Sequence, residues 1–347
     1  MLEADVEVDR RDFTVRARLT VAPGERLALF GPSGSGKTTL LETIAGLVAP
    51  RRALVTLGSR VLTSTDKPVT QLPPWRRRVG LLRQDPGLFP HLSVRDNLLY
   101  SRRAPGASAE AELAELAGVL EIDGLLAAMP ARLSGGQAHR VALGRLLLSH
   151  CDALLLDEPY TGLDVSLRRT LTDLVVSLVA QRRVPAILVA HELAEAQAFA
   201  DRMAVLDEGR MLQEGAPDEV VLRPESLRVA ELVGYTAFVP VPGSGQAHAA
   251  VHPDRVRAGA HAQDGLVISG VVSRCRPAGA QWDVELRAGA LSVTARLPEA
   301  VPAGQELEVT AISPPCFAAD GAAIAWRPSG TAAGTAAGLA GQAEARR

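Results

Sequence analysis

The sequence predicts an α/β domain with a helical insertion, followed by a small antiparallel β-barrel. Three observations support this fold class. An apolar run, a glycine-rich loop and a helical pattern follow one another over residues 26–45, and two further apolar runs, at 153–157 and 185–190, end in charged or polar side chains. Short alternating segments punctuated by turns replace this pattern over 248–327. Helices that separate buried strands indicate an α/β sheet, and closely spaced alternating strands indicate a barrel.

Bulk properties narrow the function classes. A chain of 347 residues suits two domains, and a net charge of -2 gives no case for nucleic-acid binding. The three cysteines, Cys151, Cys275 and Cys316, lack C-x-x-C spacing, so we expect a reducing compartment and no cysteine metal site. The acidic N-terminus has no apolar segment typical of a signal peptide, and no apolar run is long enough to span a bilayer. Any membrane role would therefore come through a partner.

The N-terminal elements begin with a predicted hairpin. Residues 2–9 and 13–21 alternate apolar and polar around a polar turn. Phe13, at the start of the second strand, could stack on a nucleotide base, or it could be a core aromatic residue.

The glycine-rich loop at 31–38 reads G-x-x-x-x-G-K-[ST], the phosphate-binding P-loop motif. Its glycines let successive N–H groups point at one phosphate, and the following helix adds its partial positive charge. Lys37 would reach the β- and γ-phosphates, and the Thr38 hydroxyl would hold Mg²⁺. A chance match is the alternative. It is disfavoured because the chain has only two lysines, Lys37 and Lys67, and one of them stands at the lysine position of the motif. The predicted nucleotide-binding residues are Gly31, Pro32, Ser33, Gly34, Ser35, Gly36, Lys37, Thr38 and Thr39.

The next segments form strands and then the helical insertion. Residues 53–60 read as a strand, and a second apolar strand ends at Gln84, where polar side chains often face a ligand in α/β sheets. Helical patterns follow from Ser93 and over 107–128. A further helix opens at Leu133–Gln137, where Ser134 is a good N-cap and two glycines permit close approach of an anion. A merely capped helix start is the alternative.

Acidic residues and a histidine follow the two later strands. Asp157 and Glu158 end the run that begins at Ala153, where charge needs a partner. Asp157 suits Mg²⁺ through water, and Glu158 suits a general base acting on the attacking water. His191 ends the next strand and could bond the γ-phosphate, or it could simply cap the helix after it.

The order of these motifs resembles the ATP-binding subunit of an ABC transporter over roughly residues 1–235. The resemblance identifies Gly31–Thr38 as the Walker A loop, Ala153–Asp157 as the Walker B strand and His191 as the switch histidine. It implies ATP and Mg²⁺ as cofactors, Glu158, His191 and Gln84 as catalytic residues, Thr38, Gln84 and Asp157 as the metal-binding set, and Phe13 beside adenine. It also implies a head-to-tail dimer in which the second copy's ATP is contacted by Ser134, Gly135, Gly136, Gln137 and Asp164.

The same resemblance implies a domain plan and partners. The ATPase domain would cover 1–235 with a helical subdomain at about 88–150, followed by a linker at 236–247 and an OB-like regulatory barrel at 248–328. The tail at 329–347 is expected to be disordered. Transmembrane permease subunits and an extracytoplasmic binding protein would be the partners, with the chain peripheral at the cytoplasmic face of the membrane.

The segment 76–100 is similar to the molybdate-importer branch, which makes molybdate the first candidate substrate. Sulfate, ferric iron and polyamine remain alternatives. A soluble ABC ATPase without transport is the competing class, but such proteins typically carry two cassettes or a long coiled-coil insertion.

Overall fold

The computed structural model describes residues 1–101, 107–241, 247–261 and 265–325. The chain divides into two compact units, Met1–Pro217 and Asp218–Arg347. The tail expected at 329–347 lies outside the described residues.

The first unit is built on one mixed sheet of eleven strands. In chain order these are β1 Leu2–Asp9, β2 Thr14–Val21, β3 Arg26–Phe30, β4 Arg52–Leu57, β5 Arg60–Ser64, β6 Thr70–Gln71, β7 Val79–Leu82, β8 Ala153–Asp157, β9 Ala186–Ala190, β10 Arg202–Asp207 and β11 Arg210–Gly215. Their order across the sheet is β6-β5-β4-β1-β2-β11-β10-β3-β9-β8-β7. The predicted strand at 53–60 is therefore two strands, because the chain turns at Gly58 in left-handed backbone.

The parallel half of this sheet positions the site. Strands β7, β8, β9, β3 and β10 are neighbours, and each adjacent pair is parallel. Every residue of β8 and β9 is buried, as expected for strands covered on both faces. Since parallel strands end at the same edge, the segments that follow β3, β7, β8 and β9 meet there.

Helices of the first unit cover its sheet and form the insertion. Their bounds are α1 Lys37–Ala45, α2 Pro74–Arg77, α3 Val94–Leu98, α4 Ala107–Val119, α5 Gly135–Leu147, α6 Val165–Arg182 and α7 Leu193–Phe199, with 3-10 turns at Asp123–Leu125 and Pro130–Arg132. Two short helices, α8 Pro217–Leu222 and α9 Leu227–Leu232, follow at the start of the second unit. In the insertion, an added Cβ at Gly144 of α5 would lie 2.7 Å from both Leu98 and Leu120, so the helices pack closely there.

The helix predicted over 107–128 is shorter than expected. It ends at Val119, and Glu121 adopts a positive φ of 53°. The Ile122 N–H then bonds back to the Ala117 carbonyl at 2.9 Å, which closes the helix end. Burial of Leu120 and Ile122 on either side of this turn offsets the strained backbone.

The second unit contains two antiparallel sheets. Its strands are β12 Ala237–Pro240, β13 His248–Val251, β14 Val256–Ala258, β15 Gly265–Ala278, β16 Gln281–Ala288, β17 Leu291–Leu297, β18 Glu306–Ile312, β19 Cys316–Phe317 and β20 Ala323–Ile324. They form the sheets β12-β13-β19-β20 and β14-β18-β15-β16-β17 around a shared apolar core. These extra antiparallel sheets are consistent with the predicted OB-like barrel.

The segment 236–247, expected to be a linker, contains a strand. β12 pairs antiparallel with β13, and its Ala237 and Val239 are buried in the core of the second unit. Proline and glycine around it suggested a connector, but the alternating burial of four residues is enough for an edge strand.

A buried arginine ties the end of α1 to the neighbouring hairpin. The Arg77 guanidinium donates to the Ile44 carbonyl at 2.8 Å, the Thr43 carbonyl at 3.3 Å, the Leu72 carbonyl at 2.8 Å and Thr63 Oγ1 at 2.8 Å. Two of these acceptors belong to the last turn of α1, whose carbonyls lack partners within the helix. Burial lowers the pKa of Arg77.

We expect Arg77→Ala to lower the free energy of unfolding by about 3 kcal/mol, because it leaves buried carbonyls without donors and opens a cavity. Arg76→Ala is the matched control, since the Arg76 side chain is exposed, and its effect is expected within about 0.5 kcal/mol. Urea unfolding followed by circular dichroism measures both. Equal effects of the two substitutions would contradict this role of Arg77.

Candidate functional site

The loop between β3 and α1 has the backbone of a phosphate cradle. Gly36 precedes α1 with φ of 105°, and no side chain caps the start of this helix. Gly31 has φ of 147°, and an added Cβ would lie 1.9 Å from the Leu206 carbonyl oxygen. Both positions therefore require glycine, and the loop can bring N–H groups toward an anion.

The side chain of Lys37 lies along this loop. Its Nζ donates to the Gly31 carbonyl at 2.8 Å, the Pro32 carbonyl at 2.7 Å and Ser35 Oγ at 3.3 Å. Burial lowers the pKa of Lys37, while nearby carboxylates, Glu158 first among them, act to raise it. A cation held beside this glycine-rich loop and the start of α1 suits the phosphates of a nucleotide.

Asp157 is a buried acidic residue at the end of β8. The side chain is 2% exposed, and its Oδ1 makes no hydrogen bond within the described residues. Burial raises the pKa of Asp157, and a hydrogen bond from Thr38 lowers it in part. A buried oxygen left free beside a hydroxyl is a donor set that fits Mg²⁺, which prefers oxygen ligands. Thr38, Asp157 and Gln84 are the residues that would hold the ion.

Glu158 and His191 form a pair at the ends of β8 and β9. His191 Nε2 contacts Glu158 Oε1 directly. Glu158 has φ of 52°, a conformation that costs energy for a residue other than glycine and that is concentrated at functional sites. This backbone turn brings the carboxylate toward His191, 33 positions later in the sequence.

One cleft collects most of the predicted residues. It has a volume of about 900 Å³ and is lined by Lys37, Thr38, Gln84, Glu158 and His191, together with the loop that precedes α1. The turn of the β1–β2 hairpin closes its other side through Asp9, Arg10, Arg11, Asp12 and Phe13.

The turn of the β1–β2 hairpin adds residues to the cleft that the sequence did not predict. Phe13 lines the cleft as expected and is half-buried, with its ring 3.5 Å from the position of an added Cβ at Gly36. Asp9, Arg10, Arg11 and Asp12 were not predicted as site residues. Their position in the turn directly before Phe13 is the signal that could have found them.

The turn before α5 lies outside this cleft. Ser134 Oγ accepts from the Gln137 N–H at 3.3 Å, and Gln137 Oε1 accepts from the Ser134 N–H at 2.9 Å, which is a capping box. An added Cβ at Gly136 would lie 3.5 Å from the Gly162 carbonyl oxygen. Asp164 caps α6 by accepting from the Leu167 N–H at 3.0 Å. Ser134, Gly135 and Asp164 are exposed, and none of them lines the chain's own cleft.

A family model described as ABC transporter matches residues 15–161. The Fe(3+) ions import ATP-binding protein of Yersinia pestis bv. Antiqua is 38% identical over 238 residues, which are 68% of this chain and 67% of that protein. The chain belongs to the ABC transporter family. Its membership confirms the predicted fold class and ATPase class, and it confirms ATP with Mg²⁺ as the cofactors of the first unit.

Other relatives of this ABC chain differ in the substrate that their names give. The Fe(3+) ions import ATP-binding protein of Pseudomonas fluorescens is 41% identical over 223 residues, 64% of this chain and 62% of that protein. The molybdenum import ATP-binding protein of Mesorhizobium japonicum is 40% identical over 221 residues, 63% of this chain and 59% of that protein. The matches to these two proteins thus span less than two thirds of their lengths.

Two solved structures share the fold of the ABC chain. An ATP-binding subunit of an ABC transporter has a TM-score of 0.55 and 27% identity, and covers 63% of this chain and 91% of its own. A dimeric ATP-binding cassette in a post-hydrolysis state with ADP and Pi has a TM-score of 0.54 and 24% identity, over 62% of this chain and 99% of its own. In the part of the chain that the structure describes, no helix is both long and apolar enough to cross a membrane.

Proposed function

We propose that this chain is the ATP-hydrolysing subunit of an ABC importer. The observation that carries the proposal is the convergence of Lys37, Thr38, Glu158 and His191 on a single cleft, with the buried Asp157 directly before Glu158 in the chain. The three curated relatives described above are all named as import ATP-binding proteins, which supports import as the work that hydrolysis drives.

Nucleotide binding is assigned to the loop before α1. The N–H groups of Gly34, Gly36 and the first turn of α1 would surround the phosphates, with Lys37 exchanging its loop carbonyls for phosphate oxygens. Phe13 would stack on the adenine from the hairpin side of the cleft. Mg²⁺, held by Thr38, Asp157 and Gln84, would neutralise charge on the phosphates.

Hydrolysis is assigned to the Glu158–His191 pair. Glu158 would accept a proton from water as the water oxygen attacks the γ-phosphorus, and the bond to ADP breaks to give ADP and phosphate. His191 donates to the carboxylate or to the γ-phosphate and so fixes the direction in which Glu158 faces. Gln84, exposed at the edge of the same cleft, would report the state of the site to the helical insertion that follows it.

We assign a second set of residues to contacts with the ATP that is bound to another copy of the chain: Ser134, Gly135, Gly136, Gln137 and Asp164. They are grouped around the starts of α5 and α6, none of them lines the chain's own cleft, and Ser134 and Gly135 are exposed at the start of α5. A head-to-tail dimer would place this turn over the partner's ATP. Permease subunits and an extracytoplasmic binding protein complete the proposed complex, and the chain would lie at the cytoplasmic face of the membrane. The second unit, with its OB-like sheets, would regulate that complex.

We propose ferric iron as the first candidate substrate and molybdate as the second. Iron is favoured by the relatives from Pseudomonas and Yersinia, and molybdate by the relative from Mesorhizobium at nearly the same identity. Molybdate remains a candidate substrate because residues 76–100 resemble the molybdate-importer branch. Sulfate and polyamine remain as further arms of the test.

The test is the ATPase rate of the chain reconstituted in vesicles with its permease and binding protein. The binding protein is loaded in turn with ferric iron, molybdate, sulfate or polyamine, and iron is expected to stimulate hydrolysis most. The empty binding protein is the control. Stimulation by molybdate alone would make molybdate the substrate and reject iron. An ATPase rate that is the same with and without the permease and the binding protein would favour a soluble ABC ATPase instead.

A further inference from the structure

A set of ion pairs connects the helix that begins after Asp164 to the segment that carries His191. Arg168 lies one turn into α6, and its side chain is 26% exposed. Arg168 Nη1 is 2.7 Å from Glu192 Oε2 and 3.3 Å from Glu195 Oε1. Both glutamates follow His191 closely in sequence, at the start of α7.

Glu195 is the inner of the two glutamates. Its side chain is 12% exposed, whereas that of Glu192 is 60% exposed. Glu195 lies four residues after His191 in the first turn of α7, and the His191 backbone is among the groups that lower the pKa of its carboxylate. Burial raises the pKa of Glu195, and Arg168 is the largest influence that lowers it. Arg168 therefore pairs with both carboxylates of the segment that directly follows His191.

The connection continues to the reaction centre, since the His191 imidazole contacts Glu158. We propose that Arg168 is a positioning residue that holds His191 against Glu158 through Glu195 and Glu192. This inference rests on the function proposed above. Asp164, which caps α6, is assigned to contact the partner's ATP, so α6 would connect that contact to the catalytic pair of its own chain.

A purely stabilising ion pair is the competing explanation. Exposed ion pairs contribute little to the free energy of unfolding. Here the arginine is mostly covered and its Nε is buried without a hydrogen-bond partner, so the guanidinium is directed to the two glutamates alone among the described residues. If Arg168 orients His191, its loss should lower kcat, whereas an ion pair that only attaches α7 to α6 should leave kcat unchanged.

The first measurement is steady-state ATPase of the full-length chain carrying Arg168→Ala. The kcat is expected to fall roughly tenfold while the KM for ATP stays within about twofold, because the nucleotide-binding loop is untouched. Arg169→Ala is the matched control, since Arg169 is the exposed neighbour on the same helix. Arg168→Lys should recover part of the rate by restoring the charge. Equal kinetics for Arg168→Ala and Arg169→Ala would overturn the proposal.

The second measurement is a double-mutant cycle between Arg168→Ala and Glu195→Gln. Since Arg168 acts through Glu195, the two losses in kcat should not multiply, and the double variant should be close to the worse single variant. Losses that multiply fully would show that Arg168 acts by a route that does not include Glu195, against the proposal.

Amide hydrogen exchange in the nucleotide-free chain gives a readout that needs no ATPase activity. Arg168→Ala should speed exchange at the His191 N–H at least fivefold, whereas Arg169→Ala should leave it unchanged. Faster exchange in a chain that hydrolyses no ATP would reject the proposed function and retain the Arg168–Glu195–His191 connection. Unchanged exchange in an active chain would reject the connection and retain the function.

Discussion

Glu158→Gln is expected to remove most ATP turnover while ATP still binds. Glutamine keeps the size and hydrogen-bonding ability of the side chain but cannot accept the proton from the attacking water, and a general base contributes about 10²–10⁴-fold to a rate. We therefore expect kcat to fall at least about a hundredfold. The bound, unhydrolysed ATP should also hold two copies together, so that size-exclusion chromatography with ATP shows an accumulated dimer.

Glu208→Gln is the control for this substitution. Glu208 also has a positive φ, of 45°, but it is exposed and does not line the cleft. Its replacement should leave turnover unchanged, which separates the loss of the carboxylate at the site from a general effect of changing a glutamate in strained backbone. If Glu158→Gln hydrolyses ATP at the unmutated rate, Glu158 is not the base.

Lys37→Ala is expected to weaken ATP binding itself. The ammonium makes charge-assisted hydrogen bonds in the cleft, and each such bond is worth about 1.5–3 kcal/mol, so removal should raise the Kd roughly thirtyfold or more. Isothermal titration calorimetry measures this directly. Lys67→Ala is the matched control, since Lys67 is the only other lysine and is exposed. An unchanged Kd in Lys37→Ala would mean that ATP binds elsewhere.

The same variant tests the proposed dimer. Lys37→Ala damages one half of each composite site, and Ser134→Arg should damage the other half while leaving ATP binding by a single chain intact. In a mixed head-to-tail dimer, one site retains both good halves and the other has neither. Activity should therefore return in part on mixing two inactive variants. Mixtures as inactive as either parent would contradict a site shared between two copies.

Local sequence features carried most of the site prediction. Each of these features meets a local requirement. Gly31 and Gly36 allow left-handed backbone, Lys37 starts a helix that no side chain caps, and Asp157 places a charge at the end of a buried strand. Such requirements depend on a few neighbouring residues, so they are visible in one sequence. The parallel order of the strands then brings their ends to one edge, as α/β packing requires.

The tertiary structure decided the features that depend on distant residues. Arg77 has no local signal, because its acceptors in α1 lie more than thirty positions away. Arg168 has none either, because the glutamates that it pairs with lie beyond β9. The hairpin turn enters the cleft only because the β1–β2 hairpin lies beside the loop that precedes α1.

By itself, the sequence determined an ABC-type α/β chain with a nucleotide-binding loop, one buried strand that ends in acidic residues and another that ends in a histidine. Only the tertiary structure decided that Glu158 contacts His191, that Phe13 shares their cleft and that Ser134 does not. It also made a strand of residues 237–240, which composition had suggested as a linker. The reason is that hydrophobic periodicity and glycine placement report the backbone of a segment, whereas side-chain contacts depend on which segments the folded sheets bring together.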